Sequence, residues 1–170
     1  MEELTLADPS ASRPFMPGYG VPRAMAGALA WSWAYERLEQ SRNYWVGSTR
    51  ADGQPHAMAV WGAMVDHDFY FSTADGSVKA RNLDRDGRCT ICTERADEAV
   101  IIEGVAERAT DRPDLERFAV TYEAKYNFPL DLDAPPGPIW RVRPHKVFGF
   151  IEAESQFSKT ATRWTFEGAA

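Results

Sequence analysis

Two cysteines and three histidines are all that 170 residues contain of those types. That scarcity bounds the chemistry before any motif is read. His56, His67 and His145 are too scattered to form a metal set, and no second cysteine pair exists to complete a zinc site with Cys89 and Cys92. No metal is expected. Positive charge is short as well: 19 basic against 25 acidic residues leave a net charge of −6. Nucleic acid favours a broad basic footprint, so no nucleic-acid partner is expected and any anion site must be local. No apolar run reaches the length of a membrane span. The N-terminus lacks the charged start and apolar core of a secretion signal. A cytoplasmic location without a membrane partner is expected. Also missing are H-E-x-x-H, G-x-S-x-G, a Walker-type phosphate loop and G-x-G-x-x-G. No catalytic residue can be named from a motif, which suits a protein whose cofactor carries the hard chemistry.

What the chain does have is apolar material, at 44% of residues, enough for one core. Residues 1–22 hold Pro9, Pro14, Pro17 and Pro22, which exclude regular structure there. They read as an extended arm before a single domain at 23–170. Phe15, Met16 and Tyr19 suit an arm lying on a surface, with simple disorder the alternative. Ser32 can cap a helix from Trp33 to Gln40. Tyr44–Thr49 is strand-like, Asp52-Gly53 marks a turn, and a second strand runs from about His56 to Val65. Both faces of that strand are apolar, so neither should be fully wet. Further strands are expected at Phe69–Thr73, Arg88–Thr93 and Ala99–Ala109. Leu115, Phe118, Ala119, Tyr122 and Tyr126 repeat at helical spacing after a cap at Thr110 or Asp111. Ile139–Val142 and Lys146–Glu152 read as strands broken at Pro144, and residues 162–166 as a last strand. Short, closely spaced strands with few helices predict a mainly β (α+β) fold, an antiparallel barrel with short peripheral helices.

The most informative stretch is Ser77-Val78-Lys79-Ala80-Arg81-Asn82-Leu83. It follows a strand-like run and the turn Ala74-Asp75-Gly76. Ser77 is a good N-cap, and a helix start carrying a lysine is an anion site. A phosphate-bearing cofactor is its natural occupant. Lys79 alone could be an ordinary solvated lysine; Ser77 and Asn82 beside it tip the balance.

Four pieces together resemble the pyridoxamine 5'-phosphate oxidase-like split β-barrel superfamily, in its flavin/deazaflavin oxidoreductase branch. They are Asn43–Thr49 before Asp52–His56, Val60-Trp61-Gly62, Ser72-Thr73 followed by Ser77–Leu83, and Thr160–Trp164. The resemblance implies a homodimer with two cofactor sites at the interface. It implies that Ser77, Lys79 and Asn82 hold phosphate, with Arg81 assisting. It further implies that His56, Met58, Val60 and Trp61 line the ring, while Arg163 and Trp164 approach from the closing strand. Pyridoxamine phosphate oxidases proper carry an Arg and a Lys on the strand occupied here by Val60–Met64, and end in an Arg-Leu-His-x-Arg type motif. This chain has neither, which argues against vitamin B6 chemistry. The Lys-x-Arg-Asn-Leu form and Thr162-Arg163-Trp164 look more like users of the deazaflavin coenzyme F420, with FMN the alternative. The expected function is hydride transfer to or from a small electron-poor substrate; the alternatives are an FMN enzyme or a non-catalytic carrier.

Bland readings stand for the remaining residues. Cys89 and Cys92 lie three apart on a strand and face opposite sides, so they read as structural thiols. Trp31, Trp33, Trp45 and Trp140 read as packing. His67, in a tight turn, is expected to be exposed, and His145 to be structural. Arg42, Arg50, Arg81, Arg85 and Arg88 could form a basic rim for an acidic cofactor tail.

Overall fold

The computed structural model describes residues 7–167. Nine strands form one antiparallel sheet. They are β1 (Ser10–Ser12), β2 (Tyr44–Thr49), β3 (Pro55–Val60), β4 (Gly62–Val65), β5 (Asp68–Ser72), β6 (Arg88–Thr93), β7 (Glu98–Arg108), β8 (Ile139–Ile151) and β9 (Thr162–Thr165). Their spatial order is β1-β9-β8-β7-β6-β2-β3. The thirteen-residue β8 pairs with β7 along one edge. Its other edge is shared: Ile139–Val142 pair with β5, and Lys146–Gly149 with β9. Strand β4 pairs with β5 but not with β3, so the barrel is split between β3 and β4.

The single strand expected over His56–Val65 is therefore two. Gly62 explains the break: a Cβ there would lie 2.3 Å from the Phe69 ring and 2.6 Å from the Tyr70 carbonyl oxygen. The chain turns at that tight point, and Trp61 swings out to stack on Tyr126. Within one chain β3 is an edge strand whose Met58 is 47% exposed. The expectation that both faces of the strand are covered holds for β4, where every residue is buried.

Four α-helices surround the sheet: α1 (Trp31–Gln40), α2 (Val78–Arg85), α3 (Arg112–Tyr126) and α4 (Phe157–Thr160). Helix α1 begins at Trp31 behind Ala30, without a side-chain cap, so Ser32 lies inside it. In α3 the Asp111 carboxylate accepts from the Asp114 N–H at 3.1 Å, and Asn127 ends the helix at φ 52°. Pro144 does not break β8. It sits at a bulge, where Glu103 pairs with Lys146 but Gly104 with Pro144, leaving His145 as the extra residue. A proline is tolerated there because the ladder is already interrupted.

Two apolar clusters fill the interior. The larger joins Trp31, Leu38, Tyr44, Val46, Phe69, Phe71, Leu83, Ile91, Ile102, Trp140 and Trp164 beneath α1 and α2. The smaller packs Tyr70, Phe118, Tyr122 and Tyr126 under α3. The proline-rich arm is more ordered than its composition suggests. Residues 1–6 lie outside the described residues; after them β1 pairs with β9, and the Arg13 guanidinium donates to the carbonyls of Ala24, Ala26 and Ala161. The described arm thus lies on its own subunit. Among the described residues no helix is long and apolar enough to cross a membrane.

Candidate functional site

Strand β2 sets the site, because its residues alternate between the two faces of the sheet. Tyr44, Val46 and Ser48 point inward, and Trp45, Gly47 and Thr49 outward. Helix α2 packs on the inward side through its polar residues. Asn82, 4% exposed, donates from Nδ2 to the Ser48 hydroxyl at 3.0 Å, and Arg85 donates to the Thr49 carbonyl. Successive turns of α2 thus step along β2, and Lys79 is the next residue on that side of the helix. Ser77 caps α2, accepting from the Ala80 N–H at 3.2 Å, with Thr73 Oγ1 3.3 Å away. A helix leaves its first N–H groups without partners inside it, so those of Val78 and Lys79 remain for an anion. Lys79 is half-buried, and burial alone lowers its pKa. Among the described residues no carboxylate or carbonyl pairs with its ammonium. A desolvated cation without a partner, beside unpaired helical N–H groups, is a site that an anion would complete.

A cleft of about 780 Å³ opens at the end of β2; it reaches Ser48, but neither Ser77 nor Lys79 lines it. It lies where β2 parts from β6: Gly47 and Thr90 are the last pair, after which Ser48 and Thr49 pair only with β3. Its floor is one row across β3, β2, β6, β7, β8 and β9, namely Ala57, Gly47, Thr90, Glu103, Lys146 and Thr165. Gly47 keeps the floor low, since a Cβ there would sit 2.3 Å from Thr90 Oγ1. The cleft also reaches Ser48 and His56. Ser48 is thus shared: it lines the cleft and is bonded to Asn82 of α2. Among the described residues the buried Nδ1 of His56 has no partner.

The residues expected at the site divide into groups. Ser77, Lys79 and Asn82 gather on α2, and His56 and Met58 lie on the inward side of β3, paired with Ser48 and Val46. Arg81 is exposed and turns back to the Gly76 carbonyl. Trp61 lies apart, stacked on Tyr126 at 4.6 Å and 8°, with Arg42 5.4 Å over its ring. Arg163 is tied to the arm, donating from Nε to Ser12 Oγ at 3.0 Å. The side chains of Val60 and Trp164 lie in the core. Trp164 is 0% exposed and packs 5.7 Å from Trp31, too deep to meet a ligand. Two readings change. Trp45 is 50% exposed rather than packed, because it points outward beside the free edge of β3. His67 is half-buried, held edge-on against Trp31 and Phe166. The basic rim is partly spent within the chain, since Arg88 is paired with Asp86, Arg85 with Thr49 and Arg81 with Gly76.

Sequence reasoning missed Ser48, whose only signal was its place on the inward side of β2 opposite His56. It also missed a half-buried cation behind Trp61. Lys125 Nζ donates to the Tyr44 hydroxyl at 2.5 Å and to the Gly62 carbonyl at 3.3 Å. Burial pulls its pKa down to about 8, against the opposing pull of Glu39 and Glu94. Tyr44 bonds onward to the Leu38 carbonyl, and burial raises its pKa. Lys125 lines no part of the cleft and so belongs to the core architecture. Cys89 is buried, its pKa pushed up to about 12, and burial raises that of Cys92; both are free thiols.

The family model for pyridoxamine 5'-phosphate oxidase matches residues 34–150. The chain belongs to the pyridoxamine 5'-phosphate oxidase family. Solved structures in this family's fold agree with the split barrel. The conserved hypothetical protein Rv2991 from Mycobacterium tuberculosis aligns with a TM-score of 0.64 at 24% identity, covering 75% of this chain and 88% of that one. An F420 reductase aligns with a TM-score of 0.54 at 22% identity, covering 66% and 93%. A heme binding protein from Mycobacterium smegmatis gives 0.56 at 19%, covering 69% and 53%. At these identities the likeness establishes the fold that the family shares. No curated protein matches the chain.

Proposed function

We propose that this member of the family binds the deazaflavin coenzyme F420 and transfers a hydride to or from a small electron-poor substrate. The observation that carries the reading is the half-buried Lys79 ammonium, desolvated and without a partner among the described residues, at the capped start of α2. When bound, the coenzyme supplies the hydride chemistry. The chain's part is placement. Lys79 and the Val78 and Lys79 N–H groups would take the phosphate, while Ser77 holds the cap. Asn82 fixes α2 to the cleft wall through Ser48. Gly47 keeps the cleft floor open for a flat ring, and the orphaned Nδ1 of His56 is a polar group that a ring or its substrate could satisfy. The likeness to an F420 reductase supports the choice of cofactor. FMN is the second reading, favoured by the family match itself.

In this reading two copies pair so that each completes the other's site. Trp45 at 50%, Met58 at 47% and Trp61 at 38% exposure surround the unpaired edge of β3, an apolar margin that a second subunit would cover. The deciding experiment mixes the protein with reduced F420 and a panel of unsaturated carbonyl acceptors, and follows oxidation of the coenzyme. Acceptor-dependent oxidation is expected. Tight F420 binding without oxidation would point to a carrier, and FMN in the spectrum of freshly purified protein would point to the second reading.

A further inference from the structure

The strand β7 ends in an arginine with an unusual set of partners. Arg108 donates from Nε to Asp84 Oδ1 at 2.8 Å and from Nη2 to Asp84 Oδ2 at 2.7 Å, a two-pronged grip on one carboxylate. The same Nη2 donates to Asp75 Oδ1 at 2.7 Å. Its guanidinium carbon lies 5.4 Å over the ring of the buried Trp140. Asp75 sits in the turn before Ser77, and Asp84 in the last turn of α2. One cation therefore spans α2 from one end to the other, and pairing with Arg108 lowers the pKa of Asp84.

The bland account is an ordinary surface ion pair, which adds little to stability. All three side chains are substantially exposed, so stability alone gives no reason for the arrangement. Charge gives one. An eight-residue helix is about 12 Å long, so both carboxylates lie within about a Debye length of an anion held at its start. Without Arg108 they would repel that anion. We propose that Arg108 is a positioning residue for the anion site of α2, acting through Asp75 and Asp84 by offsetting one of their two negative charges. The inference rests on the reading of Lys79 as that site's cation, and it extends the site to a residue on the far end of β7.

One net charge about 10 Å from the phosphate changes binding about twofold for a singly charged diester such as that of F420, and about fourfold for a doubly charged monoester such as that of FMN, in water-like surroundings. Removing Arg108 should therefore weaken binding by about two- to fourfold at low salt. The test is calorimetric titration of F420 and of FMN into wild type, Arg108→Ala, and the triple variant Arg108→Ala/Asp75→Asn/Asp84→Asn. Arg108→Ala is expected to lose affinity at low salt, to regain it in 0.5 M NaCl relative to wild type, and to change Tm little. The triple variant carries one negative charge fewer than wild type at this cluster and should bind at least as tightly as wild type. Unchanged affinity in Arg108→Ala would overturn the proposal, and so would a triple variant as weak as the single one. Lys79→Ala separates the two readings. If it loses affinity while Arg108→Ala does not, only the role of Arg108 fails; if it binds as wild type, the anion site itself is wrong and Arg108 goes with it.

Discussion

The bond between Asn82 and Ser48 is a buried side-chain link from α2 to the cleft, and its worth can be worked out. Both side chains are almost fully buried, at 4% and 6% exposure. Asn82→Ala removes the donor and strands a buried hydroxyl; Ser48→Ala strands a buried amide. Leaving one buried polar group unpaired costs about 1–3 kcal/mol. Each single variant should therefore lose about 2 kcal/mol, equivalent to about 4–8 °C in Tm for a chain of this size. The double variant removes both partners and leaves nothing stranded. It should lose about as much as either single change, giving a coupling of about 2 kcal/mol. Urea unfolding of the four proteins measures this directly. Losses that simply add, within about 0.5 kcal/mol, would show that the two groups do not depend on each other. Asn82→Asp adds a functional arm. It keeps the shape but places a carboxylate between the cleft and α2, so F420 binding should weaken more than in Asn82→Ala.

Three other outcomes follow from burial. Trp164→Ala should cost about 3–5 kcal/mol by chemical unfolding, as for other large core side chains. Trp164→Phe should cost less, because it removes an indole N–H that has no partner among the described residues, and should leave cofactor affinity unchanged. Lys125 has a pKa lowered from 10.5 to about 8, so the unfolded chain binds the extra proton between those values. The penalty for its burial is fully present below pH 8 and fades as pH rises toward 10.5. Lys125→Met should therefore raise Tm at pH 7, and the gain should shrink by pH 10; a gain that grows with pH would refute the assignment. Native Cys89 should resist iodoacetamide at pH 8 and label only on unfolding, with mass spectrometry as the readout.

Much of the architecture was legible because it rests on local rules. Ser77 before Val78-Lys79-Ala80 reads as a cap, and it is one. The alternation in Tyr44–Thr49 reads as a strand with one covered face, and that is how β2 lies. Asp111, Pro113 and Asn127 bound α3 as their chemistry requires. The misreadings needed contacts distant in sequence. Nothing local says that Gly62 is pressed against Phe69 and Tyr70, which is why one strand becomes β3 and β4. Pro144 looks like a breaker until Gly104 supplies the bulge that houses it. Val60 and Trp164 sit in motifs that resemble a cofactor site, and register turns both side chains inward, into the core. Arg108 was invisible because its partners lie 24 and 33 residues away.

The central claim is that the start of α2 grips the phosphate of a redox cofactor through Lys79. Side-by-side equilibrium titration of F420 and FMN into wild type and Lys79→Ala tests it most directly. Losing one charge-assisted contact should weaken binding about tenfold to a hundredfold, with Tm nearly unchanged and F420 the tighter of the two ligands for wild type. Equal affinities in the two proteins would contradict the account.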